Sequence, residues 1–344
     1  MKDKKTYDAI DVAKLVSALL VVCIHTFPLM DISKNANFVL VSIIARLAVP
    51  FFFITSGFFF FRKINFKKKW NDEENIQIWK HYFWRLLKLY IIWSIIYLPY
   101  NFILIHSGGF DLMDIVRYLR DFLFTGSFYH LWFLPALLFA VSMVYILVFK
   151  LGMKKTMLIS FILYIIGMLG NIYQPLLHAI PGISKVLDIY LQIFGTTRNG
   201  LFFGMIFIIL GCYVARYKIV MEANQLSLYT GIGIVLLVIE CVTLKINGLI
   251  QDLSSMYLML IPCVFFIFIR LLQVDMKHKP MYKTFRVLSL LIYVSHMLFA
   301  QVFIWLMPSM NSFLFYVLTI GCSFLFSYLI YHLSKHYKLL KQLY

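Results

Sequence analysis

Lys14 and His25 stand eleven residues apart in an otherwise apolar run. At 3.6 residues per turn they share one helix face, about 16 Å apart along the axis. A histidine inside an apolar run is unusual and titrates near neutral pH, which makes it a candidate functional group. An ammonium on that same face can hold an anion such as a phosphate. Each residue also has a plainer reading. Lys14 can snorkel to the lipid headgroups, and His25 can be satisfied by a hydrogen bond to a neighbouring helix.

Other polar residues interrupt apolar runs in the same way. His296 lies in Leu291-Ile292-Tyr293-Val294-Ser295-His296-Met297, and Glu240 lies in Val238-Ile239-Glu240-Cys241-Val242. Arg46, Trp132 and Asn199 are further polar or amphipathic candidates; His130 and Arg198 begin their apolar runs, so an interfacial position is the competing reading for each, and Glu240 is either a buried proton carrier or an outer-interface residue. A second set contains Arg85 and Lys88, at i,i+3 on one helix face, and the stretch Thr55-Ser56-Gly57. The sequence therefore predicts two layers. Lys14, Arg85, Lys88 and Ser56 form an inner cationic layer suited to phosphate. His25, Arg46, His130, Glu240, His296, Arg198 and Asn199 form an outer layer.

The elements that must position these groups follow from composition. The 344 residues are 62% hydrophobic and 14% charged, with a mean hydropathy of +0.84. A soluble domain is nearer ~45–50% apolar and ~25% charged. Ten runs reach the roughly 20 residues that a transmembrane helix needs: 10–29, 38–61, 83–104, 130–149, 156–174, 200–217, 226–244, 254–274, 286–305 and 312–333. Breakers such as Gly108-Gly109, Pro181-Gly182 and Asn247-Gly248 fall between runs. The longest polar loops, 62–82 and 175–199, are too short for a soluble domain. The expectation is one all-α, polytopic integral membrane domain over 1–344, without a cleaved leader.

The net charge of +17 would suggest nucleic acid in a soluble protein. Here the positive-inside rule absorbs it. With the N-terminus in the cytoplasm, 23 of the Lys and Arg residues fall on cytoplasmic segments and 7 on external ones. Lys2, Lys4, Lys5 and Lys218 are among the cytoplasmic group. Both termini are expected in the cytoplasm of a bacterial cell, with the chain in the plasma membrane and membrane lipids, not nucleic acid, as its surroundings. The five cysteines sit in apolar runs without a metal-binding spacing, so they read as small hydrophobic residues and no metal is expected.

Four stretches resemble the acyltransferase-3 family of membrane-bound O- and N-acyltransferases. They are Lys14-x10-His25, where the family usually has Arg-x10-His; Arg46-Leu-Ala-Val-Pro-Phe-Phe-Phe-Ile-Thr-Ser-Gly-Phe58; Arg85-Leu-Leu-Lys88; and His130-Leu-Trp-Phe-Leu134 with a late Tyr293-Val-Ser-His296. Their order and the ten spans match the family across the whole chain. The phrase Val49-Pro-Phe-Phe-Phe-Ile-Thr-Ser-Gly57 is most similar to the branch that includes the membrane domains of vancomycin-resistance serine racemases. Two departures stand out: Lys14 replaces the usual Arg, and Leu134-Pro135-Ala136 stands where the sugar-acetylating branch often has an acidic pair.

The resemblance implies a cytoplasmic acyl-CoA donor, most simply acetyl-CoA, whose phosphates meet Lys14, Arg85, Lys88 and Ser56. It implies His25 as base or nucleophile, assisted by Lys14, His296 and Arg198. Arg46, His130, Trp132, Asn199 and Glu240 would face the acceptor, an envelope glycan or lipid-linked sugar; a homodimer is compatible with this arrangement. A rival from another class is a transporter for serine or another small amino acid, whose path the same polar layers would line. A lipid scaffold without a site fits poorly with His25 and His296 inside apolar runs.

Overall fold

The computed structural model describes residues 6–106, 111–178, 180, 182–217, 219, 221–250 and 254–344. Lys2, Lys4, Lys5 and Lys218 of the basic count, and the breakers Gly108, Gly109 and Pro181, lie outside these residues. Among the described residues fourteen α-helices follow one another: α1 Asp8–Thr26, α2 Lys34–Phe38, α3 Ala48–Phe61, α4 Glu73–His106, α5 Leu112–Phe124, α6 Phe133–Leu151, α7 Met153–Leu169, α8 Gln174–His178, α9 Ile183–Phe194, α10 Met205–Arg216, α11 Ala223–Ile246, α12 Leu260–Gln273, α13 Met281–Leu306 and α14 Ser312–Leu333.

Among the described residues, seven segments are long and apolar enough to cross a membrane: Asp8–Thr26, Lys34–Phe61, Glu73–Ile103, Phe133–Leu151, Ala223–Ile246, Met281–Leu306 and Ser312–Leu333. Gly200–Arg216 and Leu260–Gln273 are shorter apolar helices. The protein is therefore an all-helical, polytopic membrane protein. The remaining apolar run, expected at 156–174, is the 17-residue helix α7, which starts earlier, on Met153. The third run is longer than expected, because α4 starts ten residues upstream, on Glu73. There Glu73 and Glu74 favour the positive end of the helix dipole.

Among the described residues, two helical segments contain π turns. A π turn, Val39–Ile44, and a 3₁₀ turn, Ala45–Leu47, join α2 to α3, making one helix of 28 residues. Pro50 gives a physical reason, since it has no N–H for the carbonyl four residues back, that of Arg46. A second π turn, Gly200–Gly204, leads into α10. Such turns shift the register of every side chain beyond them.

The chain divides into two compact units, Met1–Phe52 with Val220–Val238 and Pro262–Tyr344, and Phe53–Ile219 with Ile239–Ile261. In the first, α1, α13 and α14 pack on one another. The contact face of α14 carries Thr319, Ser323 and Ser327, all fully buried, whereas Phe313, Leu325 and Leu329 point outward. This inverts the soluble pattern and suits a bilayer, where small residues let helices approach and large apolar ones meet lipid.

In the second unit, α6, α7 and the 200–216 helix form the core. Backbones touch there. A Cβ on Gly211 would lie 2.2 Å from the carbonyl oxygen of Ile54, and one on Gly57 would lie 2.5 Å from that of Ile208. Likewise a Cβ on Gly200 would meet the Ala136 carbonyl oxygen at 2.4 Å, and one on Gly204 the Ala140 Cβ at 2.9 Å. Gly57, read from sequence as part of a phosphate-facing stretch, is thus a packing glycine between α3 and α10.

Candidate functional site

In the first unit, α1 and α13 run parallel and are tied together at successive levels. At the N-terminal end, the Asp11 carboxylate accepts from Arg286 Nε at 3.0 Å and Nη2 at 2.7 Å. Asp8 pairs with His278 Nδ1 at 2.7 Å. Above them Ala18 and Val22 pack on Leu288 and Ile292. One turn further on, the rings of His25 and His296 stack with centroids 5.3 Å apart and an interplanar angle of 30°. Beyond the helix ends, Ser312 N–H donates to Asp31 Oδ2 at 2.6 Å. The stripes Ala18-Val22-His25 and Leu288-Ile292-His296 follow the i,i+3/i+4 rule, so the same packing that makes the apolar seam aims both imidazoles into it.

His296 is held in one tautomer. Its Nδ1 lies 2.8 Å from the Tyr293 carbonyl and 3.1 Å from that of Ile292. Carbonyl oxygens only accept, so Nδ1 carries the proton and, in the neutral ring, Nε2 carries the lone pair. His296 is fully buried and His25 is partly buried. α1 ends immediately after His25, where Phe27 takes a left-handed conformation with φ 48° and donates its N–H to Cys23 O. Lys14 is partly buried on the same face of α1 as His25. Arg46 is buried, in the 3₁₀ turn that packs against α1.

The second unit gathers another set of the expected residues. The Arg198 guanidinium lies 4.9 Å from the Trp132 ring centroid, a cation–π contact. Asn199 caps the π turn, its Oδ1 accepting from Leu201 N at 3.0 Å and Phe202 N at 3.1 Å. Its Nδ2 donates to the Tyr190 hydroxyl at 3.0 Å. Burial pushes the Tyr190 phenol up, with the Asn199 bond opposing, so it stays neutral. His130 is buried edge-on to Tyr97 and Phe128, at centroid distances of 4.9 and 5.6 Å. The segment leading to it is clamped to α4: the Tyr90 hydroxyl donates to Phe122 O at 2.6 Å, and Ser94 and Ser127 hydroxyls meet at 2.6 Å.

The remaining expected residues are placed differently. Glu240 accepts backbone N–H groups of Leu258 and Met259, each at 2.8 Å, and so holds the turn that opens α12. Ser56 hydrogen-bonds the Tyr82 hydroxyl, which lies near Arg85. Arg85 and Lys88 are exposed, and Lys88 continues the outward stripe of Trp84, Ile91, Ile95 and Leu98 on α4. That is also where a cation snorkelling to headgroups would stand. Lys14, His25, Arg46 and His296 belong to the first unit; Ser56, Arg85, Lys88, His130, Trp132, Arg198, Asn199 and Glu240 belong to the second. Sequence reasoning missed the partners of Asp8 and Asp11. Two acids in the first turn of an apolar helix were the available signal.

Comparison with known proteins gives the context. A family model described as an acyltransferase domain matches residues 7–332. An amino-acid racemase of Enterococcus faecalis is 32% identical over 289 residues, covering 83% of this chain and 38% of the relative. A second amino-acid racemase of Enterococcus faecalis is 29% identical, covering 98% of this chain and 48% of the relative. A serine/alanine racemase of Enterococcus gallinarum is 29% identical over 78% of this chain and 37% of its own length. The chain thus spans less than half the length of these curated relatives. No solved structure matches significantly.

Proposed function

The chain belongs to the acyltransferase-3 family, and from that premise we propose that it transfers an acyl group, most simply acetyl from acetyl-CoA, to a hydroxyl or amine of an envelope glycan or lipid-linked sugar. The observation that carries this reading is the His25–His296 ring stack, buried in a seam between two apolar helices. His25 takes the proton of the acceptor hydroxyl as its oxygen attacks the acyl carbonyl. The thioester C–S bond then breaks, and the departing thiolate recovers that proton. His296, fixed by two carbonyls, orients His25 from the side.

Lys14, Arg85 and Lys88, aided by Ser56, are assigned to the donor's phosphates, and Arg46 to the acceptor side. Arg198, Asn199, His130 and Trp132 supply a cation, an amide and aromatic faces, the groups that bind sugars. Ten crossings, both termini in the cytoplasm and residence in a bacterial plasma membrane complete the proposal. They are supported by the apolar runs and the basic bias.

The test uses protein in liposomes with labelled acetyl-CoA. His25→Ala is expected to lower acyl transfer by about 10²–10⁴-fold, the usual worth of a general base. His296→Asn, which retains a donor near the Nδ1 position, is expected to cause a smaller loss. Wild-type transfer rates in His25→Ala would sink the scheme. A second reading is motivated by the racemase relatives, one of which is named for serine and alanine. This is transport of a small amino acid, and uptake of labelled serine without consumption of acetyl-CoA would select it.

A further inference from the structure

Two helices of the second unit match neither a span nor a soluble core. α5 has 13 residues and α9 has 12. At 1.5 Å per residue they are about 20 and 18 Å long, short of a bilayer's ~30 Å apolar thickness. Each is strongly two-faced. On α5, Leu112, Val116, Leu119 and Leu123 recur at i, i+4, i+7 and i+11, and all are more than half exposed. On α9, Ile183, Val186 and Ile193, at i, i+3 and i+10, are 47, 69 and 52% exposed. Neither helix has a buried residue. An apolar face of this size left open to water would be a liability in a soluble protein.

The two are joined to each other. Arg120 Nη1 donates to Gln192 O at 3.3 Å, and the Phe124 and Phe194 rings meet edge to face at 5.1 Å. The polar face of α5 neutralises itself: Arg117 pairs with Asp114 at 2.7 Å, and Arg120 with Asp121 at 2.7 Å. On α9 the charges of Lys185 and Asp188 cancel. The tether fixes where they lie. α5 follows the exposed apolar end of α4 at Leu98 and Phe102, and the apolar helix α6 opens nine residues after α5 ends. The open faces therefore continue the lipid-facing surface of the spans that flank them.

We propose that α5 and α9 lie in the plane of the membrane, in the boundary between headgroups and acyl chains on the side away from the 62–72 loop, with lipid tails as the occupant of their apolar faces. Binding is hydrophobic, because the pair carries no surplus charge to offer anionic headgroups. The platform also sets the depth of the Arg198–Trp132 pair and His130. Tyr190 of α9 holds Asn199, and the segment after α5 leads directly to His130. The inference rests on membrane residence and stands apart from acyl transfer.

The test places a benzophenone amino acid at Leu119, Val186, Arg117 or Lys185 of the full chain in phosphatidylcholine liposomes. After illumination, the adducts are weighed. Severalfold more phospholipid adduct is expected at Leu119 and Val186 than at Arg117 and Lys185, with no change in high salt or when anionic lipid is added. A crosslinked dimer at Leu119 or Val186 would assign the face to a second copy and overturn the proposal. So would equal lipid yields at all four positions, or no lipid adduct at any.

Discussion

The Asp11 carboxylate is 1% exposed, while the Arg286 side chain that grips it remains 55% exposed. Their contributions are therefore unequal. Arg286→Met strands a buried carboxylate and is expected to cost up to about 3 kcal/mol, the low end for breaking a buried pair because solvent reaches one partner. Asp11→Asn leaves an amide that still accepts from the guanidinium and should cost nearer 1 kcal/mol. Thermal unfolding in detergent would rank them; the reverse order would show that Asp11 is not held by Arg286. Sequence shows Asp11, Lys14, His25 and His296 as polar residues in apolar runs. It does not show who meets whom. Asp11 and Arg286 are separated by 275 positions, and their meeting, like the His25–His296 stack, exists only once α1 lies beside α13. Glu240 illustrates the opposite case. By hydropathy its carboxylate reads either as a proton carrier or as an interfacial residue; in the structure both oxygens accept backbone N–H groups just before α12.

Helices were legible where hydropathy is long and even, as in α1, α13 and α14. They were less so where the backbone departs from the α form. Nothing in the apolar composition of Val39–Ile44 or Gly200–Gly204 announces a π turn, because the turn answers to neighbours such as Pro50 and the close approach of Ala136. The segment 175–199 reads as a polar loop when hydropathy is averaged, but it contains α9, whose apolar and charged residues segregate by face. Glycines separate by what surrounds them, which spacing does not reveal. Gly211→Ala would drive a methyl into the Ile54 carbonyl and the Phe58 amide, at 2.2 and 2.7 Å. Neither is a movable side chain, so a loss of several kcal/mol or failure to accumulate is expected. Gly231→Ala meets nothing within 4 Å and should be neutral or stabilise by up to about 1 kcal/mol. Comparable melting temperatures for the two variants would refute the backbone contact.

At the scale of the whole molecule, the distribution of Lys and Arg makes its own prediction. Reporter fusions after Asp72 and after Lys341 should report the cytoplasmic face, and one after Gly126 the opposite face. A cytoplasmic signal at all three would break the alternation on which the topology rests. Class and polytopic character were readable from composition because the bilayer imposes one rule on every span. The division into two compact units was not, since three stretches distant in sequence compose the first. The glycine crossing of α3 and α10 has a further consequence, for biogenesis. The 200–216 helix has 17 residues, the short end of what spans a bilayer, and carries three glycines whose neighbours leave no room for a Cβ. Translation delivers it last of its group, after α3 and α6 have emerged and can offer Ile54, Ala136 and Ala140 as a fitted cradle. Its seating is thus an act of assembly, and a chain whose α3 or α6 was misplaced would leave these glycine faces without the backbone they fit.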